Sequence, residues 1–169
     1  MEVFEAIRTL LAVRSYQDKP VPDDVVRRIL EAGRMSGSAS NRQPWQFIVV
    51  QDRDTVRKVA AASPSGPYVA QAPLVIVVAI DKSIRFAVSD ASRAIQSMLL
   101  AAWADGVGSN WTGFGGLEGV SDILGIPPEL DVLAVLPFGY PAAALGRGRK
   151  RRKPLSEIAH RERYGQPFV

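Results

Sequence analysis

The chain has 169 residues, of which 47% are hydrophobic and 22% charged, and its formal net charge is +4; these values are typical of a single domain of a soluble protein. It contains no cysteine and one histidine, which excludes disulfides, thiolate catalysis, cysteine-ligated metal or iron–sulfur centres and histidine-rich metal sites. Because the N-terminus lacks a signal-peptide pattern and no apolar run is long enough to cross a bilayer, we expect a cytoplasmic protein without a membrane partner.

The sequence predicts five elements and two turns in its first half. Apolar residues at helical spacing predict a helix over residues 2–12 and another that is capped by Asp23 or Asp24 and runs to about residue 34. A turn over residues 36–44 leads into a strand at 45–51, and a short helix starts at Asp52 or Asp54 and ends near residue 62. A turn cluster at 63–67 precedes Leu74–Ile80, a run apolar on both faces and therefore typical of a central strand.

The second half begins with the longest predicted helix, an alanine-rich segment over residues 88–105. A glycine-rich loop follows over 106–116, then a helix over 117–124 that ends at Gly125, and a strand over 132–140. We expect a short helix from about residue 154 to 160 and an extended tail over 161–169. Nothing in the sequence suggests a linker, so the prediction is a single α+β domain spanning residues 1–169.

The positive charge is concentrated in one segment. Six of the 21 basic residues lie within Arg147–Lys153, and without them 15 basic residues face 17 acidic ones. Such a segment is either a solvated loop or a site for an anion, such as a cofactor phosphate or the extra phosphate of NADPH. Contact with nucleic acid is a further alternative, but nucleic-acid-binding domains usually spread their charge along a face, so we expect no such partner.

A small-residue turn before the first strand carries the most informative motif. Its hydroxyls and backbone N–H groups allow close approach of an anionic or polyol ligand. The segment resembles the P-S-x-x-N-x-Q-P-W-x-F element of the FMN-dependent nitroreductase family. Positions Asn41, Gln43, Pro44, Trp45 and Phe47 match this element, and Gly37 stands where the family usually has proline. The resemblance implies that the turn contacts the cofactor through Ser38, Ala39, Ser40, Asn41 and Gln43.

Two charged segments resemble further elements of the family. Residues 10–16 occupy the place of the family's R-R-S-x-R sequence, which implies that Arg14, followed by Ser15, lies beside the flavin pyrimidine ring. Leu10 and Ala12 replace the arginine and serine that usually meet the phosphate or the ribityl chain. Near the C-terminus, Lys150 and Arg152 match a K-x-R-x-P pattern that holds the flavin phosphate in the family.

The glycine-rich loop is similar to the family loop that passes near the reactive edge of the flavin. The resemblance assigns a cofactor-binding role to Gly113, Gly115 and Gly116, because glycine permits close approach of the backbone. The run Phe138-Gly139-Tyr140-Pro141 matches a structural x-G-Y-P element at the end of the last strand.

The resemblance implies a mixed, mainly antiparallel sheet flanked by helices, in an intertwined homodimer. Its two FMN sites would be built across the interface, with both subunits contributing. The long helix would lie in that interface. The implied reaction is ping-pong hydride transfer from NAD(P)H through FMN to a nitroaromatic, a quinone or a similar acceptor. We expect no catalytic side chain and no metal, since the flavin carries the chemistry.

Two other classes remain open from the sequence. The change at Leu10–Ala12 favours a protein of the same fold that uses another flavin or a deazaflavin, or a flavin-binding protein without catalysis. The basic segment leaves a nucleic-acid-associated protein as a third possibility.

Overall fold

The computed structural model describes residues 1–63, 66–113, 115–145 and 150–169. Its helices are α1 (Val3–Thr9), α2 (Asp23–Arg34), α3 (Arg53–Ala61), α4 (Ala87–Ala104) and α5 (Glu118–Leu124). Its strands are β1 (Trp45–Val50), β2 (Leu74–Asp81), β3 (Gly108–Ser109) and β4 (Leu130–Gly139). The predicted α+β class with a mainly antiparallel sheet is confirmed.

The four strands form one sheet in the order β1-β2-β4-β3, and each neighbouring pair is antiparallel. Val77 of β2 lies opposite Ile48 on one side and Val135 on the other. An isolated parallel bridge joins Ala12 to Ser109, so the segment after α1 reaches the edge of the sheet.

The sheet separates two apolar layers, and alternate residues of β2 point into each. Ile76 and Val78 pack with α2 and α4, whereas Val75 and Val77 pack with α3 and α5. β2 is therefore buried on both faces over nearly its whole length, as its uninterrupted apolar sequence predicts.

Local chemistry explains where two of the helices start. Asp52 caps α3, because its carboxylate accepts the backbone N–H of Thr55 at 2.8 Å. The predicted cap of α2 is wrong: Pro22 occupies the N-cap position without a side-chain cap, and Asp23 and Asp24 lie in the first turn. Their negative charges still favour the helix N-terminus through its dipole.

Several predicted elements differ from the observed ones. The first helix ends at Thr9, because residues 10–16 run along the sheet edge and bond to it at Ser109. The glycine-rich loop contains β3, and a 3₁₀ helix at Pro67–Gln71 was not predicted. The helix predicted near residue 154 is one 3₁₀ turn at Leu155–Glu157. The tail over residues 161–169 is not extended, because it folds back so that the N–H of Phe168 donates to the carbonyl of Ala159.

No helix in the described part of the chain is both long enough and apolar enough to span a membrane.

Candidate functional site

The turn between α2 and β1 has an unusual backbone. Ser40, Asn41 and Gln43 all have positive φ angles, of 51°, 53° and 48°. Non-glycine residues in this region cost on the order of 1–3 kcal/mol each and are common at ligand sites. The turn is closed internally, since the N–H of Gln43 donates to Ser38 Oγ at 2.9 Å. Its exposed tip therefore holds a strained conformation with polar groups facing outward.

Helix α4 contacts this turn at two points. The carboxylate of Asp90 accepts the N–H of Ala39 at 2.9 Å through Oδ2, and Ser36 Oγ lies 2.9 Å from Ser97 Oγ. Asp90 is only 1% exposed and also pairs with Arg93. The strained segment is thus attached to the longest helix of the molecule.

Arg14 lies beside a polar cluster formed by Tyr68, Asn110 and Thr112. Its guanidinium is exposed and sits 5.8 Å from the centre of the Tyr68 ring. The Tyr68 hydroxyl lies 2.8 Å from Thr112 Oγ1 and also accepts the amide of Asn110. Ser15 is exposed, and its carbonyl accepts the N–H of Ala142 at 3.0 Å.

A large cavity of about 1390 Å³ opens beside the segment that follows α1. Its wall combines Leu10, Leu11 and Ala12 with Lys150 and Arg152. The remaining lining residues are Phe4, Glu5, Ile7, Arg8, Thr9, Gln96, Leu99, Trp103, Ser109, Asn110, Trp111, Leu145 and Arg151. The lining therefore combines apolar side chains with several cationic ones.

The cations at this cavity are crowded. Lys150 Nζ donates to the carbonyl of Ile7 at 2.6 Å, near the end of α1. Burial lowers the pKa of Lys150, and the neighbouring positive charges of Arg152 and Arg8 lower it further. Arg8 is also paired with Glu5 at 2.7 Å. Because these neighbouring cations repel one another, the cavity favours binding of an anion.

The glycine-rich loop approaches its neighbours closely. Gly113 has a φ of +94°, and a Cβ atom there would lie 2.5 Å from Leu117 Cδ1, so no side chain fits without movement. Gly115 and Gly116 also have positive φ angles. Thr112 fixes the start of this segment through paired backbone hydrogen bonds with Val135.

The residues predicted from the sequence fall into separate groups. Lys150 and Arg152 share the large cavity with Leu10 and Ala12. The residues that do not line this cavity are Arg14, Ser15, Ser38, Ala39, Ser40, Asn41, Gln43, Gly113, Gly115 and Gly116. Arg147 and Arg149, which belong to the basic segment, lie outside the described residues.

Sequence reasoning missed several polar residues of these groups, among them Arg8, Tyr68, Asn110 and Asp90. One signal was available for Asp90. It interrupts the stripe of small apolar residues formed by Ala87, Ala91 and Ala94, and a carboxylate on a buried helix face requires a partner.

The chain is similar to proteins of known families and structures. The sequence profile of the Nitroreductase family matches residues 8–67 and 63–140. A protein of Methanothermobacter thermautotrophicus, provisionally named NADH dehydrogenase/NAD(P)H nitroreductase, is 40% identical over 84% of this chain and 78% of its own length.

Two crystal structures share the fold over nearly their full length. One, from Bacteroides thetaiotaomicron, carries the same provisional name and superposes with a TM-score of 0.88 at 31% identity, covering 96% of this chain and 98% of the other. The second, a provisionally named nitroreductase of Desulfovibrio desulfuricans in complex with FMN, has a TM-score of 0.82 at 32% identity, over 97% and 98% of the two chains. The motif resemblance is thereby confirmed, and the chain belongs to the Nitroreductase family.

Proposed function

We propose that this protein binds FMN and catalyses NAD(P)H-dependent reduction of a small oxidised acceptor, such as a nitroaromatic or a quinone. The observation that carries the proposal is the large cavity whose wall is apolar at Leu10–Ala12 and cationic at Lys150 and Arg152. FMN combines a flat apolar ring with one phosphate, which fits a cavity of this kind. The provisional names of the relatives add NAD(P)H as the reductant, and one relative is solved with FMN.

The residues divide the task of binding. Lys150 and Arg152 hold the phosphate through charge-assisted hydrogen bonds, and Arg14 supplies positive charge beside the pyrimidine edge of the ring. The turn at Ser38–Gln43 and the glycines at 113, 115 and 116 contact the cofactor through backbone groups. When bound, FMN supplies the hydride-transfer chemistry, and no side chain of the protein acts as acid or base.

The apolar residues Leu10 and Ala12 change how the phosphate is held. Their side chains offer it no hydrogen bond, although they line the same cavity as Lys150 and Arg152. The C-terminal cations therefore supply the neutralising charge. Burial and the neighbouring cations lower the pKa of Lys150, and a bound phosphate would oppose both effects.

We further propose that each complete site includes residues of two copies of the chain in a homodimer. The turn at Ser38–Gln43 and the glycine loop do not line the cavity that Lys150 and Arg152 share. A second copy that brings its own turn to this cavity would unite the predicted residues. The half-exposed apolar residues Ile7, Leu99 and Trp103 around the cavity favour coverage by another surface.

The first experiment is an absorbance spectrum of the freshly purified protein, followed by chromatographic identification of any released chromophore. The expected result is a flavin spectrum with FMN in the supernatant. Initial rates with NADH or NADPH and a nitroaromatic or quinone acceptor should then give the parallel double-reciprocal lines of a ping-pong mechanism. A colourless protein that FMN cannot reconstitute would overturn the proposal.

A second candidate function is favoured by one observation, the apolar run at Leu10–Ala12 on the cavity wall. A protein with this wall could use another flavin or a deazaflavin, or bind a flavin without turning over NAD(P)H. Titration of the colourless protein with riboflavin and with a deazaflavin cofactor would identify the first case. A bound flavin that NADH and NADPH both fail to reduce would identify the second.

A further inference from the structure

Helix α4 buries a carboxylate that the proposed chemistry does not use. Asp90 lies in the first turn of α4 with an exposure of 1%, surrounded on its helix face by Ala87, Ala91 and Ala94. Burying an ionised carboxylate is unfavourable unless it is paired and hydrogen-bonded. The ion-pair and hydrogen-bond partners of Asp90 therefore indicate its role.

Asp90 has one partner on its own helix and one on the turn. Arg93, three residues later, pairs with Oδ1, while Oδ2 accepts the N–H of Ala39 at 2.9 Å. The ion pair fixes the rotamer of Asp90 and leaves the second oxygen aimed at the turn. A charged acceptor makes a stronger hydrogen bond than a neutral one.

The bond to Ala39 reaches the turn immediately before its strained residues. Ser40 and Asn41 follow with positive φ angles, and Gln43 has a third. The internal hydrogen bonds of the turn connect its residues to one another, as between Gln43 and Ser38, but do not attach it to the rest of the protein. The Asp90 carboxylate attaches the turn to α4 at the point where the strained backbone begins, whereas the other contact with α4, between Ser36 and Ser97, lies two residues before Ser38.

We propose that Asp90 is a positioning residue, which keeps the turn at Ser38–Gln43 in the conformation that receives the cofactor. This inference rests on the proposed function for the identity of the cofactor, but the effect on the turn is independent of it. Without the carboxylate, the unfavourable φ angles favour relaxation of the turn to other conformations, and cofactor affinity is lost because the turn must be reordered on binding.

The first test measures amide hydrogen exchange of the ligand-free protein. Asp90→Ala should increase exchange over residues 38–43 by at least about tenfold, the effect expected for loss of one charge-assisted hydrogen bond. Protection in β1 and β2 should stay as in the wild type. Ser92→Ala is the matched control on the same helix, since the Ser92 hydroxyl donates within α4, to the carbonyl of Val88. Unchanged exchange over 38–43 would overturn the proposal, and so would an equal increase throughout the chain.

The second test asks whether relieving the unfavourable φ angle of Ser40 reduces the contribution of Asp90 to FMN affinity. Glycine adopts a φ of 51° without penalty, so Ser40→Gly should reduce the need for Asp90. We expect Asp90→Ala to raise the Kd for FMN about tenfold in the wild-type background and less than about threefold in the Ser40→Gly background. A purely structural role of Asp90 would give the same loss in both backgrounds and would contradict the proposal.

Asp90→Asn provides a conservative variant that keeps an oxygen acceptor for Ala39. It should retain most of the protection of residues 38–43, and it serves as the test if Asp90→Ala fails to fold. An Asp90→Asn protein as exchange-labile in the turn as Asp90→Ala would contradict the assigned hydrogen bond. Failure of the wild type to bind FMN would refute the proposed function alone, because the exchange experiment needs no cofactor.

Discussion

At the scale of single residues, the proposed function assigns the FMN phosphate, and not the flavin ring, to the cationic residues of the cavity. Lys150 and Arg152 line the cavity, whereas the adjacent Lys153 does not. Replacing Lys150 or Arg152 by alanine should raise the Kd for FMN roughly 10- to 100-fold, because a hydrogen bond to a charged group contributes about 1.5–3 kcal/mol. The measurement is a flavin fluorescence titration.

Riboflavin provides the internal comparison for this prediction, since it has the ring and the ribityl chain but no phosphate. Its affinity should change little in Lys150→Ala or Arg152→Ala, and Lys153→Ala should leave both ligands unaffected. Equal losses for FMN and riboflavin would mean that the basic residues stabilise the protein rather than contact a phosphate.

The lowered pKa of Lys150 leads to a pH prediction. Burial and the charges of Arg152 and Arg8 favour the neutral amine, whereas a bound phosphate favours the charged form. FMN binding should therefore be accompanied by proton uptake in alkaline solution, and its affinity should fall as the pH rises through the lowered pKa of Lys150. Lys150→Arg should make the affinity nearly independent of pH in this range, because arginine stays protonated. A wild-type titration as flat as that of Lys150→Arg would contradict the prediction.

At the scale of elements, α2 and α4 pack closely at Gly33. A Cβ atom at this position would lie 2.9 Å from Met98 Cγ and Sδ and from Phe47 Cζ. Gly33→Ala should therefore lower the free energy of unfolding by roughly 1–2 kcal/mol, despite alanine's higher helix propensity. Thermal unfolding should show a decrease of about 2–8 °C in Tm.

Gly37→Ala is the matched control for this prediction, since nothing lies within 4 Å of the added Cβ atom. Its Tm should stay close to that of the wild type. A Gly33→Ala protein as stable as Gly37→Ala would show that Met98 moves aside without cost.

The elements with a strong local signal could be predicted from the sequence, and those that depend on distant contacts could not. β2 and α4 were placed within a residue or so, because continuous apolar character and helical spacing are properties of the segment itself. The early end of α1 depends on the bond between Val13 and Ser109, almost a hundred residues away. No local pattern contains that information.

The same distinction applies to the candidate site. The basic character of Lys150 and Arg152 is visible in the sequence, but their position beside Leu10–Ala12 follows from the path of the chain. The contact of Asp90 with Ala39 joins an acid to a backbone amide 51 residues earlier. A sequence motif can identify residues that bind a ligand, but the residues that hold them in position, such as Asp90, are identified only from the three-dimensional structure.

At the scale of the whole molecule, the exposed apolar side chains of α1 predict self-association. Phe4 is 76% exposed and lines the large cavity together with Leu99 and Trp103 of α4. Sedimentation velocity at micromolar concentration should show a species of twice the chain mass of 18.3 kDa. Phe4→Glu should shift this species towards monomer and weaken FMN binding, whereas Ile123→Glu, on α5 and not lining the cavity, should do neither. A wild-type protein that is only monomeric would contradict the shared site.

The position of β2 between β1 and β4 also has a consequence during synthesis. One partner strand precedes β2 in the chain, but the other ends only at Gly139. Until that segment leaves the ribosome, the uncharged run Leu74–Ile80 has one unpaired edge and an incomplete apolar cover. Such segments associate readily with other chains. The nascent protein is therefore most exposed to aggregation, and most dependent on chaperones, between the emergence of β2 and that of β4.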